Sequence, residues 1–488
     1  GKSITVEGKL TAKSLTVTAT EDVVFGELEV GLITLNVAGA DVTLTNLAHL
    51  SIAANSEAGT LTVTTTSGNV TVGNGVVVTG DVTVTANGAI IITDNTLTGK
   101  NVVLVSETAG ISGTVNAKTL DLTANGVIAV HDTNDVRVLR VIQNAAGENV
   151  EITASGNLNV GTGTDTSAVI DSNGGTMTLR AETGSLVLYG PVKSGGGAIT
   201  LEAGSNIELR TDAIIDREAG STETITVHAD KDESGAGALT MSAGSLIKAI
   251  GGNITVTAAG DATLTRIETT GNVTVKSSTS SGALVSMTGA GNTDGANIKA
   301  NKLTLIHAAI GTTNNPIKTE IGQLNANSAG TIVINNSGPL ELGAMTMTTD
   351  GNVTLYAGGT LTATDTVTTN GGNLSWDVTE HNSTNNSGDY NIVINGPLKT
   401  GGGTVTANCH ILVFFGTERS IRQFTHRITR RDVLVEHTKS LGRNRHLHAQ
   451  VLGDAIDLAG YAHTLNHLLD FPLCAFDIIA GRQRQPHA

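Results

Sequence analysis

The sequence predicts an all-β fold: a parallel β-helix (β-solenoid) with rungs of about 20 residues and an atypical C-terminal tail. Two observations predict it. A glycine followed by Asn or Asp, then by alternating aliphatic and Thr residues, recurs along the first 408 residues, and its copies return at the length of one solenoid turn. The copies occupy residues 68–72, 80–85, 252–257, 271–275 and 351–355, with a drifted copy at 372–376.

Each copy of this phrase predicts one strand with a turn in front of it. The alternation has period two, so it places Val, Ile and Leu on one face and Thr on the other, while Gly and Asn suit the positive-φ corner. Thr suits the outward face because it is polar and can be hydrated, and because its β-branched side chain favours a strand. Two explanations remain open for the Asn and Asp beside the turn glycines: ladders that link successive rungs, or simple tolerance of turns.

The rung length follows from the separation of the copies. The phrase returns from Gly252 to Gly271 and from Gly351 to Gly372, and a similar step leads from Gly175 to Gly197. Shorter steps within a rung, as from Gly68 to Gly80, predict two or three strands per turn. Leucine-rich repeats have a similar length, but Val-Thr-Val alternation without a helical segment disfavours them. About 20 rungs at ~4.8 Å would form a rod on the order of 100 Å long.

Composition favours one long domain with a narrow core. The chain has 488 residues, but a solenoid grows by adding rungs around one core, so length does not imply several domains. Hydrophobic residues make up 39% and aromatic residues only 2%, so small aliphatic side chains must fill the interior.

The net charge of −15 disfavours nucleic acid as a partner, because phosphate binding needs clustered Lys and Arg. The charge is unevenly divided. Residues 409–488 hold 10 of the 29 basic and 7 of the 44 acidic residues, which leaves the first 408 residues at −18. The sequence therefore predicts two parts: a repeat rod over 1–408 and a compositionally distinct tail over 409–488.

Two interpretations of the tail remain open. Segments 430–441 and 447–469 have helix-like apolar spacing, which suits a small helical segment. We favour the hypothesis of an assembly or reading-frame error that replaced the true continuation with unrelated residues, because the Val-Thr alternation stops at Asn408. Both cysteines, Cys409 and Cys474, lie in the tail, so no disulfide framework is predicted for the body.

The start of the chain resembles the interior of a longer protein. Gly1 is followed by neither a basic nor an apolar leader region, and no apolar run approaches the roughly 18 residues of a membrane span. We therefore expect an internal fragment with no transmembrane segment.

The repeat phrases, together with residues 310–319 and 324–334, resemble the rod region of filamentous haemagglutinin-like large exoproteins, the adhesins of two-partner secretion. The resemblance covers most of 1–408. It implies a right-handed parallel β-helix, export through an outer-membrane pore partner, an extracellular or cell-surface location, and attachment to host or bacterial surface glycans or proteins. Autotransporter passengers share this rod, and the Asn-Pro-Asn phrase typical of the family's secretion domain is missing.

Calcium is the first chemical alternative. Residues 161–165 and 289–294 echo half of the glycine-rich nonapeptide that binds Ca²⁺ between adjacent turns. Each ion needs oxygens from consecutive copies, and these two copies are isolated, so glycine-rich loops are the better interpretation. In the tail, His463 and His467 have i, i+4 spacing, but Thr464 stands where a zinc protease carries Glu.

An enzyme is the alternative function, because some parallel β-helices cleave polysaccharides. A lyase or hydrolase needs paired carboxylates or acids beside a basic residue. The sequence offers two acidic loop clusters and few aromatic side chains for stacking on sugars, so we expect a non-enzymatic protein with no catalytic residue, no metal site and no cofactor. The clusters are Asp212, Asp216, Arg217 and Glu218, and Asp230, Asp232 and Glu233; the scattered aromatics are Tyr189, Tyr356, Trp376 and Tyr390.

Binding is expected mainly on loops that leave the rod, because loops on a rigid scaffold commonly carry recognition. The repeat is interrupted at residues 161–175, 211–223, 230–237, 277–297 and 380–390.

Overall fold

A computed structural model defines the fold. It describes residues 3–162, 170–218, 222–231, 235–277, 282–286, 295–378, 390–409, 411–415, 423–427 and 434–437. These residues form 43 strands and no helix. The strands pair in parallel as a β-solenoid of about 16 turns with rungs of about 21 residues, which confirms the predicted fold class.

The strands of the first part are long where they bend around corners. They are β1 Ile4–Thr18, β2 Val23–Asn46, β3 Leu50–Ile52, β4 Glu57–Thr65, β5 Val70–Val72, β6 Val77–Val78, β7 Val82–Ala86, β8 Ile90–Ser106, β9 Ile111–Ala124, β10 Ile128–Asp132 and β11 Val136–Gln143.

The middle part has the most regular turns. Its strands are β12 Val150–Ala154, β13 Leu158–Val160, β14 Ile170–Asp171, β15 Met177–Ala181, β16 Leu186–Leu188, β17 Val192–Lys193, β18 Ile199–Ala203, β19 Ile207–Leu209, β20 Ile214–Arg217, β21 Ile225–Ala229, β22 Leu239–Met241, β23 Leu246–Ala249, β24 Ile254–Ala258, β25 Ala262–Leu264, β26 Ile267–Thr269, β27 Asn272–Ser277 and β28 Ala283–Ser286.

The last part again contains longer strands. They are β29 Ile298–His307, β30 Ala309–Ile310, β31 Ile317–Ser328, β32 Ile332–Asn336, β33 Leu340–Met347, β34 Val353–Ala357, β35 Leu361–Ala363, β36 Val367–Thr368, β37 Leu374–Asp377, β38 Asn391–Ile394, β39 Leu398–Lys399, β40 Thr404–Asn408, β41 Ile411–Phe415, β42 Gln423–Arg427 and β43 Leu434–His437.

Three columns of strands run along the rod. In the middle part β12, β15, β18, β21, β24 and β27 stack as one column, β13, β16, β19, β22, β25 and β28 as the second, and β14, β17, β20, β23 and β26 as the third. A turn therefore contains three strands. The predicted repeat separations reappear as pairing registers, since Ile254 pairs with Val273 and Val353 with Leu374.

The number of turns is smaller than the sequence predicted. About 16 turns at ~4.8 Å give roughly 75 Å of rod, because insertions lengthen some turns. One example is the pairing of Trp376 with Ala407, whose positions in the sequence are separated by clearly more than one average turn. Such insertions add residues without adding a rung.

Inward side chains of successive turns stack into continuous apolar rows. Leu158, Leu186, Ile207 and Leu239 pair in register on four consecutive turns, and all are fully buried. At ~25 cal/mol per Å² of buried apolar surface, each such side chain contributes roughly 1.5–3 kcal/mol. Small aliphatic residues suffice because the interior is only a few side chains across.

Buried hydroxyls close several corners of the rod. Thr65 donates a hydrogen bond to the carbonyl of Gly68 at 3.2 Å, and Ser172 donates to that of Gly175 at 2.7 Å. Ser194 does the same to Gly197 at 2.6 Å. At Gly175 and Gly197 the hydroxyl thus supplies a hydrogen bond to a corner carbonyl, whereas the carbonyl of Gly68 also accepts the backbone N–H of Gly88 at 2.7 Å.

Asn and Asp next to the turn glycines link successive turns, which supports the ladder explanation. Asn69 Oδ1 accepts from the backbone N–H of Ala89 at 2.8 Å, and Asn253 Oδ1 accepts from Asn272 at 2.9 Å. At Asn69 and Asn253 the side-chain oxygen therefore caps a backbone N–H of the next turn. Asp81 accepts the side-chain amide of Asn101 at 2.8 Å instead, which is the side-chain ladder that was expected.

Several predicted loops contain short strands. Residues 211–223 include β20, residues 277–297 include β28, and residues 161–175 include β14. Strands of two to four residues are too short to show a period-two pattern, so the sequence did not separate them from loops.

The described residues beyond 408 continue the ladder. β40 pairs with β42, β38 with β41, and β41 with β43. Of the segment 430–441, for which helix-like spacing was noted, the described part is a strand, Leu434–His437. Residues 447–469 lie outside the described residues, and the boundary at 408/409 stays a prediction.

Candidate functional site

A shallow, open groove of about 890 Å³ crosses successive turns on one side of the rod. Gly99 and Ala117, which pair across adjacent turns, form part of its low floor. Lys100 and Lys118 follow them in sequence, and neither ammonium lies within ion-pair distance of a described carboxylate. The groove is lined by residues 77–79, 98–100, 116–118, 133–135, 155–156 and 183.

Asp135, which lines this groove, and the buried Asp132 close to it in sequence are both engaged in holding the backbone. Asp132 is fully buried and accepts the N–H groups of Ala117 and Asn134, each at 2.9 Å. Burial raises its pKa, although these hydrogen bonds oppose the shift. Asp135 accepts the backbone N–H of Asn157 at 2.7 Å and its side-chain amide at 3.2 Å. Both carboxylates therefore fix the backbone beside the groove, and only that of Asp135 lines it.

A serine and a histidine meet at one end of the groove. Ser155 Oγ lies 3.3 Å from His131 Nε2 and 3.2 Å from Glu182 Oε2. A nucleophilic serine also needs free N–H donors for an oxyanion. The N–H groups of Ser155 and Gly156 donate to the carbonyls of Asp132 and Asn134, so this contact is a hydrogen-bonded link between turns.

A charged cluster lies on the outer face of the first column. The carboxylate of Glu202 forms ion pairs with Arg180 Nη2 at 2.7 Å and with Lys231 Nζ at 3.1 Å. His228 pairs in register with Glu202 on the adjacent turn. Burial raises the pKa of Glu202, but the hydrogen bond from Lys231 and the charge of Arg180 outweigh it, so the net shift is downward. Burial, followed by the charge of Lys231, lowers the pKa of His228. The single carboxylate of Glu202 is thus paired with two cations.

The first predicted acidic cluster is not gathered into one pocket. Asp212 occupies a corner with φ of 59°, and Asp216 lies 4.0 Å from Lys248 on the next turn. Arg217 points inward, is fully buried and donates to the carbonyl of Ile250 at 2.6 Å. Glu218 is exposed just after the strand. Strand alternation directs neighbouring residues to opposite faces, which is why proximity in sequence did not become a site.

Asp230 of the second cluster is buried and holds the following loop through hydrogen bonds to its backbone. Both of its carboxylate oxygens accept the N–H of Gly235 at 2.9 Å. Asp232 and Glu233 lie outside the described residues.

None of the four aromatic side chains singled out above is fully exposed as a stacking platform for a sugar. Trp376 and Tyr390 are buried in the core, and Tyr356 is only half-exposed. The ring of Tyr189 is covered by the guanidinium of Arg210, 5.9 Å from its centroid.

No group of three or more His, Cys, Asp or Glu in the described residues could hold a metal ion. Of the two calcium-like segments, only Gly161 and Thr162 are described, and 289–294 is not. His463, His467 and Cys474 also lie outside the described part, and Cys409 is buried. The described part of the chain contains no helix with the length and hydrophobicity needed to cross a bilayer.

A second surface is a two-dimensional array of threonines: the sequence predicted Thr on the outward face, but not its alignment from turn to turn. Pairing registers align Thr-x-Thr segments of β2, β4 and β7 on three adjacent turns. We call this the Thr array. The recurrence of Thr-x-Thr at close to one rung length was the available signal. Its members are Thr43, Thr45, Thr62, Thr64, Thr83 and Thr85.

Comparison with protein-family models, with curated proteins and with solved structures gives no match for this chain.

Proposed function

We propose that this chain is part of a secreted bacterial adhesin, in which it forms a structural stalk that carries attachment surfaces away from the cell. The observation that carries the proposal is the continuity of the rod. Three columns of parallel strands and one apolar core extend from the first turns to Cys409. A spacer must be stiff, and this architecture is stiff without any bound ligand.

The strand geometry suits a load-bearing shaft. Strands run around the rod, so their hydrogen bonds point along its axis. A pull on the rod loads the hydrogen bonds of all three columns in each turn at the same time, and bending compresses one column while it stretches the others. Each turn contacts only its neighbours, which lets the shaft lengthen by repetition.

Export and location follow from the same proposal. The absence of cysteine from residues 1–408 means that no disulfide can form in that region during passage through an oxidising compartment. The resemblance to the haemagglutinin-like exoproteins suggests an outer-membrane pore as the secretion partner and glycans or proteins of host or bacterial surfaces as targets. Repeated weak contacts along a polar flank would combine into avidity.

The engaged state of the acids supports a binding function over catalysis. A general acid or base must reach a substrate proton. Asp135 at the groove, the buried Asp132 and Asp230 at its loop instead accept hydrogen bonds from the protein itself.

Surface display tests the proposal. A non-adherent bacterial strain that displays the chain should attach to immobilised surface glycans or to host cells, and a strain displaying a loop-free solenoid of equal length should not. Electron microscopy should show rods of roughly 75 Å for about 16 turns. Globular particles would contradict the stalk, and equal attachment by both strains would contradict an adhesive role.

A carbohydrate-active enzyme is the second candidate, because Lys100 and Lys118 line the same groove as Asp135. The purified chain should then generate reducing ends, or the ultraviolet absorbance of unsaturated products, from an anionic polysaccharide. Loss of that activity in Lys118→Ala would favour the enzyme, and no activity across a polysaccharide panel would eliminate it.

A further inference from the structure

We propose that the Thr array binds ice. The inference rests on the six threonines of β2, β4 and β7 and is independent of the stalk function. Thr43 pairs with Thr62 and Thr62 with Thr83, while Thr45, Thr64 and Thr85 form a parallel second row. The array is therefore a lattice of identical side chains and not a single stripe.

The lattice has two regular repeats. Neighbouring strands set a spacing of ~4.8 Å along the rod, and residues two apart on one strand set roughly 6.6 Å across it. Ordered rows of water oxygens on the faces of an ice crystal repeat in two dimensions at comparable lengths. A face that repeats in both directions can place one hydroxyl on each water row.

The surface is held flat from below. Val63 and Val84 lie between the paired threonines and are fully buried. Val42 and Leu61, which precede the array on their strands, are at most 1% exposed. No register shift occurs between β4 and β7 in this region. Threonine has few χ1 rotamers on a strand, so the hydroxyl and methyl positions are ordered before any ligand arrives and little entropy is lost on binding.

The hydroxyls face solvent. All six threonines are exposed or half-exposed, and none of their side chains hydrogen-bonds to another described residue. Their hydrogen-bonding capacity is directed to water. Val103 and Val105 on the next turn continue both rows with the same branched shape but without the hydroxyl.

A second threonine row on the rod provides an internal contrast. Thr178, Thr200 and Thr226 also stack in register, but the positions two residues further along their strands, which carry the second threonine row in the Thr array, hold charged or ionisable residues here, so this row is one threonine wide. Those residues are Arg180, Glu202 and His228. Long hydrated side chains keep a crystal away, so this row should not bind ice.

Ice recrystallisation in a frozen sucrose solution tests the proposal with the full chain. The wild type should slow crystal growth relative to serum albumin at equal concentration. Thr64→Tyr places a bulky ring above the centre of the array, and Tyr is well tolerated in a strand. It should weaken the inhibition of recrystallisation at least about tenfold. Thr226→Tyr, the same change on the contrasting row, should leave it unchanged.

A gain of activity guards against misfolding as an explanation. The double variant Val103→Thr, Val105→Thr adds a fourth turn of hydroxyls and should inhibit recrystallisation more strongly than the wild type. Equal losses in Thr64→Tyr and Thr226→Tyr, or a wild type no better than albumin, would overturn the proposal. Binding to crystalline cellulose without any effect on ice would overturn it in favour of a solid polysaccharide. Cell attachment measured without ice reports separately on the adhesin proposal.

Discussion

The side-chain oxygen of Asn352 accepts a hydrogen bond of 2.9 Å from the backbone N–H of Asn373, one turn further along the rod. Asn373 repeats the contact with Thr404 at 3.0 Å. A residue favoured at turns thus also joins three successive rungs. The same arrangement links Asp135 to Asn157 and Asn157 to Ser185.

Removal of this cap should loosen the junction locally. Asn352→Ala leaves the N–H of Asn373 without its acceptor, and because this contact is exposed the loss should be at most about 0.5–1.5 kcal/mol. Amide hydrogen exchange should be faster at Asn373. Asn352→Asp keeps an acceptor oxygen and is the matched control. Unchanged exchange in the alanine variant would show that water replaces the cap without cost.

Acid should weaken the turn that contains His307. Its ring is buried, and burial lowers its pKa to about 4, a shift that the carbonyls of Gly282 and Val275 and the charge of Asp261 oppose. The unfolded chain gains the proton near its ordinary pKa of 6.5, so stability is complete above that value and falls as the pH drops toward 4. The loss amounts to about 3 kcal/mol once both states are protonated.

Hydrogen exchange of strand Ile298–His307 between pH 7 and pH 4 measures this loss. The variant His307→Leu retains an apolar group at the position and should abolish the difference in protection factor, which is corrected for the intrinsic exchange rate at each pH, between the two pH values at this strand. A pH dependence that persists in His307→Leu would assign the effect to other groups, such as His228.

Trp376 should anchor its part of the core. It is fully buried between Leu355 and Ala407 on the adjacent turns. Trp376→Ala should cost about 3–5 kcal/mol because it leaves a cavity, whereas Trp376→Phe should cost much less and removes an indole N–H that lacks a hydrogen bond in the described structure. Protease resistance and hydrogen exchange around 353–377 measure the change. Equal losses in both variants would contradict cavity formation as the cause.

Close stacking should make certain corner glycines irreplaceable. A Cβ on Gly197 would overlap the carbonyl of Gly175 on the preceding turn, and backbone there has no room to move. Gly197→Ala should therefore destabilise the rod by at least about 1–3 kcal/mol. Gly338→Ala is the control, because nothing lies within 4 Å of its Cβ position. Thermal unfolding by circular dichroism compares the two, and similar melting curves would refute the packing argument.

Much of this fold could be predicted from local pattern. Copies of the phrase at 252 and 271 predicted a strand, its buried face and its return on the next turn, and the pairing of Ile254 with Val273 confirms all three. Short strands such as Ile170–Asp171 were missed because two residues carry no detectable period. The acids near 212–218 were grouped by sequence, yet alternation sends Asp216 outward and Arg217 into the core.

By itself, the sequence determined the strand-turn unit, the length of its repeat and the small aliphatic core, because these depend on neighbours along the chain. Only the tertiary structure decided which residues share a surface. The registers that align Thr64 with Thr85, or bring Asn352 to Asn373, depend on the number of residues in the corners and loops of each turn. Those lengths vary from turn to turn, so non-local pairing, and not local propensity, creates the groove and the Thr array.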